Sequence, residues 1–300
     1  MGERVTIVQS NVTEPGAPFD PDGEHRDRLR ALVDQVLLAP ALILLVPIFL
    51  LPSALMLYLS LTDPVGVSHY AAVLSSGTAR AVILRSLAIS LEVTVISVIV
   101  AVPYAYLSVR GSRRLRALLL AAVGCTLFFS VIVRAYAWLA LFAQGGVVPA
   151  TLRVLHLAGP DLNLAHTRLA VIVAMVQYGV PYMVLSIYDT FRRVDVRVEQ
   201  AAAICGAGAI LRWRTITLPQ MLPGIAAGSV IVFVTSCGYY IIPAVVGSPS
   251  DSMIGQLISQ QISLTDNWGL GSALACVLML VSVLAFIIFR RVNNWAGGRA

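Results

Sequence analysis

Ionisable side chains are scarce in this chain, and two of them stand inside long apolar stretches. Glu92 lies in SLEVT and Arg134 in VIVRAYAW. An unpaired charge in hydrocarbon is costly, so each requires a partner or a function. At ~1.5 Å per residue, both lie about 13–15 Å from the same end of their spans. Similar depth in adjacent, oppositely directed helices permits a structural ion pair between Glu92 and Arg134. Alternatively, Glu92 faces a pathway and attracts a cationic solute. Tyr239 and Tyr240, next to Gly238 and Pro243, either line a cavity or pack at a helix break. In a cavity their faces would suit amine cations.

No catalytic constellation accompanies these residues. The sequence contains no GxxxxGK[ST], HExxH or GxSxG pattern. Cys125, Cys205, Cys237 and Cys276 are scattered without a CxxC pair, which argues against a metal or disulfide framework. His69, His156 and His166 read as solvated loop residues. An integral membrane enzyme would group several ionisable side chains near one face, and this chain does not.

A third feature is the segment 199–219, EQAAAICGAGAILRWRTITLP. Ala201, Ala202 and Ala203 favour helix, and their small side chains let another surface approach closely. Gly206 and Gly208 supply a turn, because glycine adopts positive φ without strain. Residues 211–218 suit a second short helix, which Pro219 ends before the next apolar stretch. The result is a compact helix–turn–helix knob. A plain connector with a chance excess of Ala and Gly is the simpler alternative. Trp213 either packs within the knob or anchors a partner, as aromatics often do at interfaces.

The elements that must position these residues are membrane helices. The chain is 58% hydrophobic and 12% charged, with mean hydropathy +0.84. A soluble domain carries about 25% charged residues. Six apolar runs reach the ~20 residues needed to span a bilayer: approximately 35–61, 85–109, 115–143, 169–188, 222–246 and 271–289. Pro40, Pro47, Pro52, Pro103 and Pro181 fall inside them and predict kinks. Polar segments 62–84, 144–168 and 247–270 carry turn signals. Residues 1–34 are polar, contain Pro15, Pro18 and Pro21, and read as a flexible cytoplasmic tail without a signal peptide. A transmembrane domain over 35–300 follows.

The net charge is +6, and every basic residue is Arg. In a soluble protein this balance would suggest nucleic acid. Here the Arg residues cluster beside alternate apolar runs: in the tail, at 110–116, at 192–214 and at 290–299. That pattern follows the positive-inside rule and places both termini, and the 199–219 knob, in the cytoplasm. A self-sufficient channel or ion-coupled carrier would have no need of such a knob.

The knob resembles the EAA loop of bacterial ABC importer permeases: Glu-Ala-Ala, three residues, Gly, nine residues, then Ile-x-Leu-Pro. Ala201, Ala202, Gly206, Ile216, Leu218 and Pro219 fit this spacing. Gln200 stands where the family places Glu, and Glu199 lies one residue earlier, about 100° round a helix. Outside the loop, Pro103-Tyr104-Ala105-Tyr106, Arg134-Ala135-Tyr136-Ala137-Trp138, Met253-Ile254-Gly255 and Asp266-Asn267-Trp268-Gly269 resemble permeases of the spermidine/putrescine type. Permeases for opines and aminophosphonates look similar.

The resemblance implies an all-α membrane protein with six transmembrane helices and the type I ABC importer permease fold, in the bacterial inner membrane. It implies a coupling loop over 191–219, with Glu199, Gln200, Ala201, Ala202, Gly206, Trp213, Ile216, Leu218 and Pro219 at the ATPase contact. The expected partners are an ABC ATPase dimer that holds ATP and Mg, a second homologous permease, an extracytoplasmic binding protein and the lipid bilayer. No catalytic residue, metal or cofactor is expected in this chain. The solute implied is a polyamine or related small amine. With Gln200 in place of Glu, docking is expected to rely on shape and apolar contact more than on that charge.

Overall fold

The computed structural model describes residues 21–62, 68–157, 159 and 162–297, except the side chains of 21–39, 41, 42, 290 and 292–297. Helix α1 spans Pro21–Thr62. It begins inside the segment expected to be a flexible tail, so residues 21–34 of that tail are helical; residues 1–20 lie outside the described residues. Proline suits the first helical position because its missing N–H has no intrahelical acceptor there. The part of α1 up to Leu55 forms one unit, and Met56–Ala300 forms a second.

In the second unit the helices are α2 (Ser68–Ser75), α3 (Gly77–Arg110), α4 (Arg113–Phe128), α5 (Val131–Phe142), α6 (Val147–Val154), α7 (Arg168–Phe191) and α8 (Val196–Ile204). They continue with α9 (Ala209–Arg212), α10 (Leu218–Cys237), α11 (Ile241–Val246), α12 (Ile254–Ser263) and α13 (Trp268–Gly297). Six helical segments among the described residues are long and apolar enough to cross a membrane, as expected. The helices run on through Pro40, Pro47, Pro52, Pro103 and Pro181.

Two span boundaries differ from the sequence reading. The run expected over 115–143 is two helices, α4 and α5, separated by Phe129 and Ser130 in extended conformations. Hydropathy is blind to this break because both flanks are apolar. Serine, a frequent helix-starting residue, is the local signal. The run expected over 222–246 stops at Cys237, and α11 starts only at Ile241. Gly238 takes the C-cap position there.

The core is the contact of α3, α7 and α10. Ile89, Val93, Ala101 and Ala105 from α3 meet Ala174, Met183, Ile187 and Phe191 from α7 and Met221 and Val232 from α10, all buried. Within lipid, helix association depends on close fit more than on the exclusion of water. Glycines on α7 and α10 provide that fit. A Cβ at Gly224 would lie 2.8 Å from Ile187 Cα and Ser186 O, and one at Gly228 would lie 2.6 Å from Met183 Sδ. A Cβ at Gly179 would lie 2.9 Å from Val232 Cγ1.

Candidate coupling knob and intramembrane polar site

The knob begins where Asp195 caps α8, its Oδ1 accepting from the Arg197 amide at 2.9 Å. α8 ends in a Schellman turn. The Gly206 amide donates to Ala203 O and the Ala207 amide donates to Ala202 O, each at 3.0 Å. Gly206 takes φ +82°, the left-handed conformation this turn requires. Gly208 does not share that role: its φ is −63°, a conformation open to any residue.

The second arm starts at Ala209, two residues earlier than expected, and does not end at Pro219. It passes through a π-helical turn, Trp213–Thr217, straight into α10. The Leu218 amide donates to Trp213 O, five residues back. The widened turn lets the backbone pass a residue that has no N–H to give. The expected break at Pro219 is thus replaced by a continuous arm joined to a core helix.

Glu199 ties the knob to α3. Arg110 Nη2 donates to Glu199 Oε1 at 2.9 Å, and Thr217 Oγ1 donates to the same oxygen at 3.3 Å. The two charged side chains are only 16% and 14% exposed. The Arg110 guanidinium also lies 4.7 Å from the centre of the Phe191 ring, which stacks on Tyr106 at 6.0 Å. Arg116 caps the end of α3, donating to Ser108 O and Val109 O at 3.0 and 2.7 Å, and leaves Arg110 for Glu199.

Gln200 is exposed, as are Ala201, Gly206 and Pro219, while Ala202, Ile216 and Leu218 are half-buried. Trp213 is partly exposed and borders a pocket of about 170 Å³ with Tyr106, Glu199, Arg212 and Thr217. Sequence reasoning missed Arg110, Tyr106, Phe191 and Thr217 as anchors. Arg110 entered it only as one charge in a topology cluster. It also missed Ile204 and Ile210, which stand 88% and 79% exposed at the two sides of the Gly206 turn.

Inside the spans, Glu92 and Arg134 do not pair. Arg168 Nη2 donates to Glu92 Oε1, and both side chains are nearly half exposed, at 46% and 42%. Arg168 is the first residue of α7, which lies along α3, so its guanidinium meets Glu92. The break at Phe129–Ser130 resets the phase of α5, which packs on α7 and α11. Arg134 there lies 5.3 Å from the Tyr178 ring centre. Tyr178 also meets Tyr182 at 5.3 Å and Tyr239 at 4.7 Å between ring centres. Tyr239 therefore joins an aromatic cluster at the α10–α11 break, while Tyr240 next to it is exposed.

Helices of this number and order, with a bonded knob between two core helices, define a multi-pass membrane protein of the type I ABC importer permease fold. Residues 26–296 match the family of binding-protein-dependent transport system inner membrane components, and the chain belongs to that family. It is similar to the spermidine/putrescine transport system permease protein PotB of Haemophilus influenzae, 25% identical over 77% of this chain and 80% of the relative. It is 31% identical to the inner membrane ABC transporter permease protein YdcU of Escherichia coli, over 69% of this chain and 70% of the relative. A chain of a bacterial alginate ABC transporter superposes with a TM-score of 0.75 at 17% identity, covering 89% of this chain and 97% of that one. That last likeness is one of fold.

Proposed function

We propose that this chain is the permease half of an ATP-driven importer for small amine-bearing solutes. Family membership and the six apolar helices support the coarse reading. The observation that carries the coupling role is the knob. Its two arms are locked by the Arg110–Glu199–Thr217 bonds to core helix α3, and the second arm runs without a break into α10. Its turn offers Ile204, Ile210 and Leu211 outward. Those apolar side chains suit a groove in an ATPase, and a lever joined to α3 and α10 transmits rigid motion to the core. The positive-inside pattern of the Arg residues supports a cytoplasmic knob, on the side where ATP is found.

ATP hydrolysis then belongs to a partner ATPase dimer that holds ATP and Mg. A second permease completes the pathway, and a soluble binding protein delivers the solute from outside. Polyamines are the solutes to which the name of the PotB relative points. Glu92 does not strengthen that choice, because its charge is engaged by Arg168.

Reconstitution with the ATPase, second permease and binding protein tests the reading. Solute-stimulated ATP hydrolysis and ATP-dependent uptake are expected. Uptake by this chain without an ATPase would overturn it in favour of a channel or carrier.

A further inference from the structure

Among the described residues, Arg134 is an intramembrane charge without a hydrogen-bond acceptor. Its Nε and Nη1 are sealed from solvent and have no hydrogen-bond partner among the described residues. Tyr178 covers the guanidinium from one face, at 5.3 Å. An aromatic face attracts the cation but accepts none of its N–H groups, which point outward in the plane of the guanidinium. Glu92, the acid that sequence depth offers as a partner, is held by Arg168. Arg134 as a whole is half-buried. The Tyr178 ring that covers it meets Tyr239 at 4.7 Å between ring centres, in the three-residue break between α10 and α11, with Tyr240 exposed next to it.

We propose that Arg134, with Tyr178 and Tyr239, forms a subsite for an anionic group, a carboxylate or phosphonate, carried by the transported solute. In-plane guanidinium donors match planar or tetrahedral oxyanions. An ionisable side chain inside the membrane is a functional candidate by default, and transporters build solute sites where spanning helices are interrupted. A diamine brings only further positive charge to this place. The solute of this permease therefore combines an amine with an acid, in contrast to a simple polyamine. This inference rests on the importer reading and narrows its solute.

The test compares two probes of equal chain length, 4-aminobutyrate and 1,4-diaminobutane, which differ in one end group. Binding to the assembled importer of this chain, second permease and ATPase is measured by scintillation proximity without binding protein. The wild type should bind 4-aminobutyrate at least tenfold more tightly than the diamine. Arg134→Gln should abolish that preference, and Arg134→Lys should keep part of it. Equal or tighter binding of the diamine by the wild type, binding of neither probe, or an unchanged preference in Arg134→Gln overturns the proposal. If Arg134→Gln makes the assembly fall apart on gel filtration while Arg134→Lys holds it together, the acceptor is a carboxylate of the second permease, which also overturns it. Should Arg134→Gln fail to fold, the wild-type comparison alone decides. ATP hydrolysis stimulated by the binding protein in the wild-type assembly tests the importer reading separately.

Discussion

Arg110 Nη2 and Glu199 Oε1 meet at 2.9 Å across the junction of the knob with the end of α3. Both are mostly buried, and the same carboxylate oxygen also accepts from Thr217 at the start of α10. One carboxylate thus joins three parts of the chain: the first arm of the knob, a core helix before it and a core helix after it.

Removing that carboxylate should loosen the lever. Glu199→Gln is expected to destabilise the permease by about 1–3 kcal/mol, since it leaves a mostly buried guanidinium under-bonded. A double-mutant cycle with Arg110→Gln should give a coupling energy of about 1–3 kcal/mol. Thermal unfolding in detergent measures both. In reconstituted importer, Glu199→Gln should also lower solute moved per ATP hydrolysed. Gln200→Ala, at an exposed position, should change stability by no more than about 0.5 kcal/mol. Equal effects at 199 and 200 would contradict this anchoring.

The two glycines of the turn should respond differently. Gly206→Ala forces a Cβ into φ +82°, at a cost of about 1–2 kcal/mol, although nothing stands within 4 Å of that Cβ. Gly206→Asn should be better tolerated, because Asn enters the left-handed region more readily. Gly208→Ala has ordinary dihedrals and open space, and should be neutral. Gly206→Pro should also uncouple ATP hydrolysis from uptake, as proline cannot adopt that φ. Limited proteolysis of the knob and coupled uptake in vesicles provide the readouts.

The α7–α10 contact predicts a steric penalty. Gly224→Ala drives its Cβ against backbone atoms of Ile187 and Ser186, which cannot rotate away. A loss of about 1–3 kcal/mol is expected from overpacking. Gly124→Ala, with nothing within 4 Å, is the control and should be silent. Comparing the melting temperatures of the two variants checks the contact.

Glu92 should behave as one half of an exposed ion pair. Glu92→Gln is expected to leave the apparent affinity for any transported amine unchanged. Its effect on stability should disappear in an Arg168→Gln background. Vesicle uptake of labelled solute across a concentration series, with all four combinations, makes the comparison. A loss of affinity in Glu92→Gln that persists in the Arg168→Gln background would restore Glu92 as a pathway residue.

Composition and short-range pattern carried most of what was legible before the fold was known. Six spans follow from apolar runs of bilayer length, because hydrocarbon admits a backbone only when its polar groups are bonded within the segment. The first arm of the knob and its Gly206 turn follow from alanines ahead of a glycine, because helix propensity and positive φ are local properties. Tertiary structure decided what local pattern does not encode. The run 115–143 is apolar on both sides of position 130, yet the chain breaks at Phe129–Ser130 and turns Arg134 toward Tyr178 in place of Glu92. Glu199 and Gln200 are neighbours in sequence, yet the path of the chain brings Arg110 and Thr217 to only one of them. Apolarity is a property of each residue and sums along the chain. The partner of a charge depends on the phase of two helices and the point where they cross, and three-dimensional packing alone sets these.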